Sequence, residues 1–379
     1  MKVLCIDDKE IDVKGIRIFC NEKDWEFEWK SFHDDYYKAI METDPDVVVL
    51  DWFEGPDSDN DYGETIFDSI WENGYRPVVV FSGQADRIGL DQQKQESNIL
   101  RLINKGDDDD ITEYLEKYEK YFEMLSKFRK KIGKVIINSV NVIAPLKQIH
   151  EDFLDEEVFH YILAKRMVSA FDIENADIKL PEWGMYIYPP VSNVLKTGDI
   201  IKLVNPKTDG TDKVENEGYK VIISQACDLA HEKIQEALCL SCKTIQAGIM
   251  NDIKCEVSRS IKHVANVIGK EKKEIQSQLV KSKLREAMNS GVYHRWGVLP
   301  ELKDVSPDMS VDFKSGEYIS LNDIAYGKSQ LKEGQKYYRV ASLDSQYVSQ
   351  LVWGYMQNAC RPGAMDRTVE EWIEKIFLQ

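Results

Sequence analysis

Six consecutive residues, Asp46-Val47-Val48-Val49-Leu50-Asp51, constrain this chain more than any other stretch. Four apolar residues in a row, three of them β-branched, mark a strand buried on both faces, and such strands belong to sheets that helices cover on both sides. Residues 3–6 and 77–81 read the same way, and 99–103 more weakly. Residues 25–32 alternate apolar and polar, as a half-buried strand does. Between these segments Ile11, Val13, Ile16 and Phe19 recur on a helical scale, and 36–41 and about 64–71 read as helices. Strands that alternate with helices predict an α/β fold with a doubly wound, parallel five-stranded sheet.

The polar residues gather where these strands end. Asp7 and Asp8 follow the first strand, Asp51 the third, Ser82 the fourth and Lys105 the fifth. In doubly wound sheets ligands sit outside the carboxyl ends of the strands. Three carboxylates at one edge repel each other unless a cation joins them, and oxygen-only ligands favour Mg²⁺ over Zn²⁺. A carboxylate beside such a cation can act as nucleophile toward a phosphoryl group. A hydroxyl and an ammonium nearby would hold the phosphoryl oxygens.

Asp7-Asp8, Asp51, Ser82-Gly83 and Lys105, in this order and at these strand ends, make residues 1 to about 125 resemble a response-regulator receiver domain. The resemblance implies that Asp51 is the phosphoacceptor. It implies that Asp7, Asp8, Asp51 and the backbone carbonyl of Phe53 hold Mg²⁺, that Ser82 is the switch hydroxyl, and that Lys105 pairs with the phosphoryl oxygens. Two positions depart from the family's habit: Gly106 stands where Pro usually follows the lysine, and Leu102 where an aromatic switch residue is common. The loop after Asp51 is longer than usual before Gly63 and carries Asp57, Asp59 and Asp61, read as a solvated face rather than a second metal site.

Charge divides the chain. Residues 1–110 hold 28 acidic and 12 basic residues, whereas the remainder is nearly balanced at 38 and 37. The expected domains are a receiver core at 1–106, an extended last receiver helix and linker at 107–145, and an α+β output domain of unknown type at 146–379. Ile111, Leu115, Tyr118, Phe122, Leu125, Ile132 and Ile136 step by threes and fours along the linker helix, with Arg129 interrupting the seam. That stripe suits either a homodimer through the helix at 107–137 or packing on the chain's own output region. In the output region 198–204, 219–224, 237–242, 291–299, 310–313 and 337–342 read as strands of a small barrel-like sheet. About 146–171, 270–288 and 345–360 read as helices.

Cys227, His231, Cys239 and Cys242 could supply four zinc ligands. Residues three apart on a strand face opposite sides, however, so Cys239 and Cys242 read better as buried structural cysteines. Nor does a spacing of four make Cys227 and His231 a catalytic pair. Residues 254–285 carry nine basic and three acidic residues. The patch is read as a solvated helix face, with docking on the acidic receiver or on nucleic acid as alternatives. A net charge of −17 argues against a general nucleic-acid or anionic-membrane binder. Acid at positions 7 and 8 comes too early for a signal peptide, and seven cysteines spread over 379 residues do not suggest a disulfide framework. The expectation is a cytoplasmic protein with no membrane partner.

The function expected is that of a response regulator in a two-component phosphorelay. A sensor histidine kinase would donate the phosphoryl group, Mg²⁺ would be the cofactor, and a protein partner would read the output domain. On this reading the chain is a phosphoacceptor switch and not an enzyme. The alternatives are a receiver-regulated hydrolase or nuclease with its active site in 146–379, and a receiver-like scaffold that is never phosphorylated.

Overall fold

The computed structural model describes residues 1–54, 62–74, 76–89, 100–106, 108–143, 155–174, 178–204, 218–262, 270–359 and 376. They fall into two compact units, Met1–Asp177 and Ile178–Gln379.

The first unit is built on β1 (Lys2–Ile6), β2 (Glu26–Lys30), β3 (Val47–Leu50), β4 (Val78–Ser82) and β5 (Leu100–Asn104). All are parallel, in the order β2-β1-β3-β4-β5, which is the flavodoxin-like doubly wound order. The register aligns Leu4, Val48, Val78 and Leu100 in one row across the sheet. That row packs on Ala39 and Ile40 of α2 (Tyr36–Thr43) and on Ile66, Phe67 and Ile70 of α3 (Tyr62–Gly74). The alternate residues Val3, Cys5, Val47, Val49, Val79 and Phe81 face α1 (Lys14–Glu22) and the start of α4 (Asp108–Ile143). Helices on both faces explain why these strands are apolar throughout.

At ~1.5 Å per residue the 36 residues of α4 span about 54 Å, far more than a five-residue strand needs. Ile111, Leu115 and Phe122 are fully buried against the sheet. Farther along, the buried line runs through Ser126, Val135, Ser139 and Ile143, while Ile136 is half-exposed. The expected stripe through Ile132 and Ile136 has therefore slipped by one residue. A straight helix drifts about 20° per heptad from a strict repeat, and Arg129 and Lys130 are turned to the carboxylate of Asp44 at the end of α2. Burial alone would raise the Asp44 carboxyl, yet Lys130, Arg129 and Arg76 hold it below its ordinary value.

The far part of α4 lies beside α5 (Glu156–Glu174), with the rings of Phe128 and Phe171 6.0 Å apart. Division by contact thus falls at 177/178, whereas the sequence reading places it at 145/146 and assigns α5 to the output region. Residues 146–154 of the predicted 146–171 helix lie outside the described residues.

The second unit is a nine-stranded sheet: β6 (Tyr186–Ile187), β7 (Asp199–Leu203), β8 (Tyr219–Ile222), β9 (Glu236–Thr244), β10 (Val292–Tyr293), β11 (Trp296–Leu299), β12 (Met309–Ser320), β13 (Ile324–Ala325) and β14 (Tyr337–Leu343). The path β10-β11-β12-β9-β8-β7-β14-β13 is antiparallel except at its last pair, with β6 also pairing β14. It has two ends, so among the described residues the expected barrel-like sheet is an open one. Its helices among the described residues are α6 (Ala226–Ala230), α7 (Ile249–Lys262), α8 (Lys270–Ser290) and α9 (Ser345–Ala359). The basic stretch forms α7 and α8, whose apolar sides meet Trp296 and Val298.

No helix among the described residues is long and apolar enough to cross a membrane.

Candidate functional site

Strand register alone brings the carboxylates together. Ile6 pairs with Leu50, so the next residues, Asp7 and Asp51, leave neighbouring strands side by side. The Asp51 amide donates to the Ile6 carbonyl at 2.9 Å, and the Asp7 amide to the Lys30 carbonyl at 3.0 Å. Ser82 pairs with Asn104, and the Lys105 amide donates to the Ser82 carbonyl at 3.0 Å. The turn at Lys105-Gly106 follows at once. Gly106 has φ of +110°, a region that side-chain-bearing residues avoid, and this is how the chain turns where the resembling family has proline.

Asp7 and Asp51 are buried, at 1% and 5% exposure, and Ser82 is buried beside them. Lys105 Nζ reaches both carboxylates, 2.6 Å from Asp51 Oδ2 and 2.8 Å from Asp7 Oδ2. Asp51 Oδ1 accepts from the Trp52 amide at 2.7 Å, and Asp7 Oδ1 from the Lys9 amide at 2.9 Å. Burial pushes the Asp7 carboxyl up to about 6, against the pull of Lys105. The Lys105 ammonium loses water too, but Asp51 and Asp7 overcompensate and raise it above its ordinary value.

Oxygens of Asp7, Asp8 and Asp51 lie within 4.8 Å of one another, and no other group of three ligating side chains does so among the described residues. Asp7 Oδ2 is buried without an aligned hydrogen bond, although the Lys105 ammonium stands 2.8 Å away as an ion partner. A buried carboxylate oxygen left this way, in an all-oxygen donor set, fits a hard divalent cation. Phe53, Ser82, Gly83 and Gln84 line the same pocket with Asp8, Lys9, Asp12, Asp51 and Lys105. All the residues singled out from the sequence for this site therefore converge.

Asp12 also belongs to the site, although the sequence reading does not single it out; its Oδ2 is 3.3 Å from Lys105 Nζ. It sits in a 3-10 turn, Glu10–Val13, whose side-chain directions no strand or helix period specifies. The signal that could have found it is an acid in the short connection directly after a strand end that already carries two. Asp57, Asp59 and Asp61 lie outside the described residues.

Gly63 fixes how Trp52 sits beside Asp51. A Cβ at Gly63 would stand 2.5 Å from Trp52 Cα and under 3 Å from two indole carbons. Gly63→Ala must therefore displace backbone, and a loss of about 1–3 kcal/mol is expected. Urea unfolding measures it; an unchanged midpoint would show that the contact relaxes without cost.

The second cluster does not assemble. Cys239 packs among Ile201, Ile222 and Ile319, whereas Cys242 packs among Leu240, Val311 and Met309, on the other face of the sheet. Cys227 is exposed in α6 and His231 is its C-cap. Burial pushes the Cys239 and Cys242 thiols up to about 12, the direction of inert core cysteines.

No protein-family model and no curated protein matches the chain. Among solved structures, the N-terminal domain of a response regulator/sensory box/GGDEF 3-domain protein from Carboxydothermus hydrogenoformans is 16% identical, covering 33% of this chain and 98% of its own, with a TM-score of 0.27. A response regulator from Desulfuromonas acetoxidans is 14% identical over 32% of this chain and 97% of its own, with a TM-score of 0.24. A two component transcriptional regulator AraC from Clostridium phytofermentans ISDg is 18% identical over 31% and 90%, with a TM-score of 0.23. Each spans about the N-terminal third of this chain, and likenesses this low assign no residue role.

Proposed function

We propose that the first unit is a phosphoacceptor receiver, modified on Asp51, and that the second unit reads its state. The observation that carries this reading is the meeting of Asp7, Asp8 and Asp51 with Lys105 at the carboxyl end of a doubly wound sheet. Asp51 Oδ2 attacks phosphorus. The new O–P bond forms as the bond from phosphorus to the donor breaks, and a donor imidazole leaves with the electron pair and takes up a proton. Attack by water later frees inorganic phosphate and restores the carboxylate. Lys105 neutralises the equatorial oxygens, and Ser82 offers its hydroxyl to one of them. Asp7, Asp8, Asp51 and the Phe53 carbonyl would hold Mg²⁺, which supplies charge neutralisation between the carboxylates and the incoming phosphoryl group.

On this reading the donor is a sensor histidine kinase in the cytoplasm and the chain is a self-modified switch rather than a turnover enzyme. The second unit serves a protein partner. Self-association along α4 belongs to the same proposal: Met124, Ile137 and Val142 are exposed apolar residues on its far part. The direct test is incubation of the full chain with a small acyl-phosphate donor, with and without Mg²⁺, followed by mass spectrometry. A Mg²⁺-dependent, base-labile gain of one phosphoryl group at Asp51 is expected. No gain, together with no binding of beryllofluoride, would overturn the reading.

A further inference from the structure

Three carboxylates surround the Lys105 ammonium. Two of these are the buried Asp51 and Asp7, at 2.6 and 2.8 Å. The third is Asp12, at 3.3 Å and 35% exposed, on the turn between β1 and α1. The two short, buried contacts already hold the ammonium in place, so Asp12 is not needed to position it. Asp12 also lines the pocket that a group carried by Asp51 must enter. Lys9, another cation on that lining, is 3.6 Å from Asp8 rather than paired with Asp12.

We propose that Asp12 is a built-in counter-charge that competes for Lys105 with the anionic group carried by Asp51, and so weakens the modified state. The proposal rests on the receiver reading. A phosphoryl group on Asp51 replaces one negative charge by about two and so raises the demand on the ammonium beside it. Lys105 then has to divide its donors between the phosphoryl oxygens and Asp12. The residue therefore sets how long and how fully the switch stays on, without taking part in the transfer.

Beryllofluoride, which stands in for a phosphoryl group on an aspartate, supplies the test without a covalent step. It is titrated calorimetrically, at saturating Mg²⁺, into the full chain and into Asp12→Asn and Asp12→Glu. Asp12→Asn should bind it about fivefold more tightly at low salt, the upper size of effect of one partly exposed ion pair that no longer holds Lys105 back. The gain should shrink as salt rises, and Asp12→Glu should stay within about twofold of the parent. In a Lys105→Gln background the gain from Asp12→Asn should largely vanish. Equal or weaker binding by Asp12→Asn, where the parent binds, overturns this proposal alone. An undiminished gain in the Lys105→Gln background overturns it too, because the charge would then act without the lysine. Binding by none of the proteins, the parent included, overturns the receiver reading with it.

Discussion

Asp51→Asn takes up no phosphoryl group from an acyl-phosphate donor under conditions that label the parent chain, a loss of roughly 10³-fold or more. The amide has no anionic oxygen to attack phosphorus. Folding is spared, because the change removes one of several crowded negative charges while Lys105 keeps Asp7 at 2.8 Å and Asp12 at 3.3 Å. A stability change within about 1 kcal/mol is expected, so loss of labelling reports chemistry and not collapse. The measurement pairs intact-mass labelling with urea unfolding. Labelling of the variant at the parental rate would place the acceptor elsewhere and remove Asp51 from its assigned role.

Why this site is legible in the sequence follows from the sheet. In a parallel sheet the strand ends point one way, so a polar residue immediately after each apolar run must arrive at one edge. Four short runs, closed by Asp7, Asp51, Ser82 and Lys105, therefore specify a place in space. Asp12 escapes that logic because it belongs to a 3-10 turn, where no period sets side-chain direction. The long helix is legible as a helix, but its buried line beyond Phe122 is not. Ser126 and Ser139 are buried there while Ile137 is exposed, an arrangement set by tertiary neighbours such as Asp44 and α5. In the second unit the sequence pattern marks β12 only at 310–313, although the strand runs from Met309 to Ser320. The ladder to β9 shifts register between Val311 and Gly316, then resumes through Ser320. Ser315 Oγ bridges the irregularity, donating to the Asp312 carbonyl at 2.7 Å and accepting from the Ser241 amide at 2.8 Å.

The largest stability effect is expected in the second unit, at a pair that period and spacing do not reveal. Arg339 on β14 and Asp199 on β7 are 140 residues apart in sequence and 3.1 Å apart in space, at 4% and 0% exposure. The guanidinium also donates to the carbonyls of Ser192, Val194 and Tyr326 and so ties two loops to the sheet. Asp199 accepts further from Ser342 Oγ at 2.5 Å and from the Lys196 amide at 2.8 Å. Arg339→Met keeps much of the side-chain volume but leaves a buried carboxylate without its cation and three carbonyls without a donor. A loss of about 3–5 kcal/mol is expected, read as an earlier unfolding transition of the second unit in urea. Burial already raises the Asp199 carboxyl above its ordinary value, in spite of Ser342, Lys196 and Arg339. Such a group favours the fold below its unfolded value near 4 and loses that contribution as pH rises through the folded value. Without Arg339 the folded value climbs further, so the gap between variant and parent should narrow on acidification from pH 8 to pH 5. Arg339→Lys keeps the charge but not the planar fork, and should fall between the two. A loss under about 1 kcal/mol for Arg339→Met, or a gap that widens in acid, would mean that the carboxylate finds water or another cation once the arginine is gone.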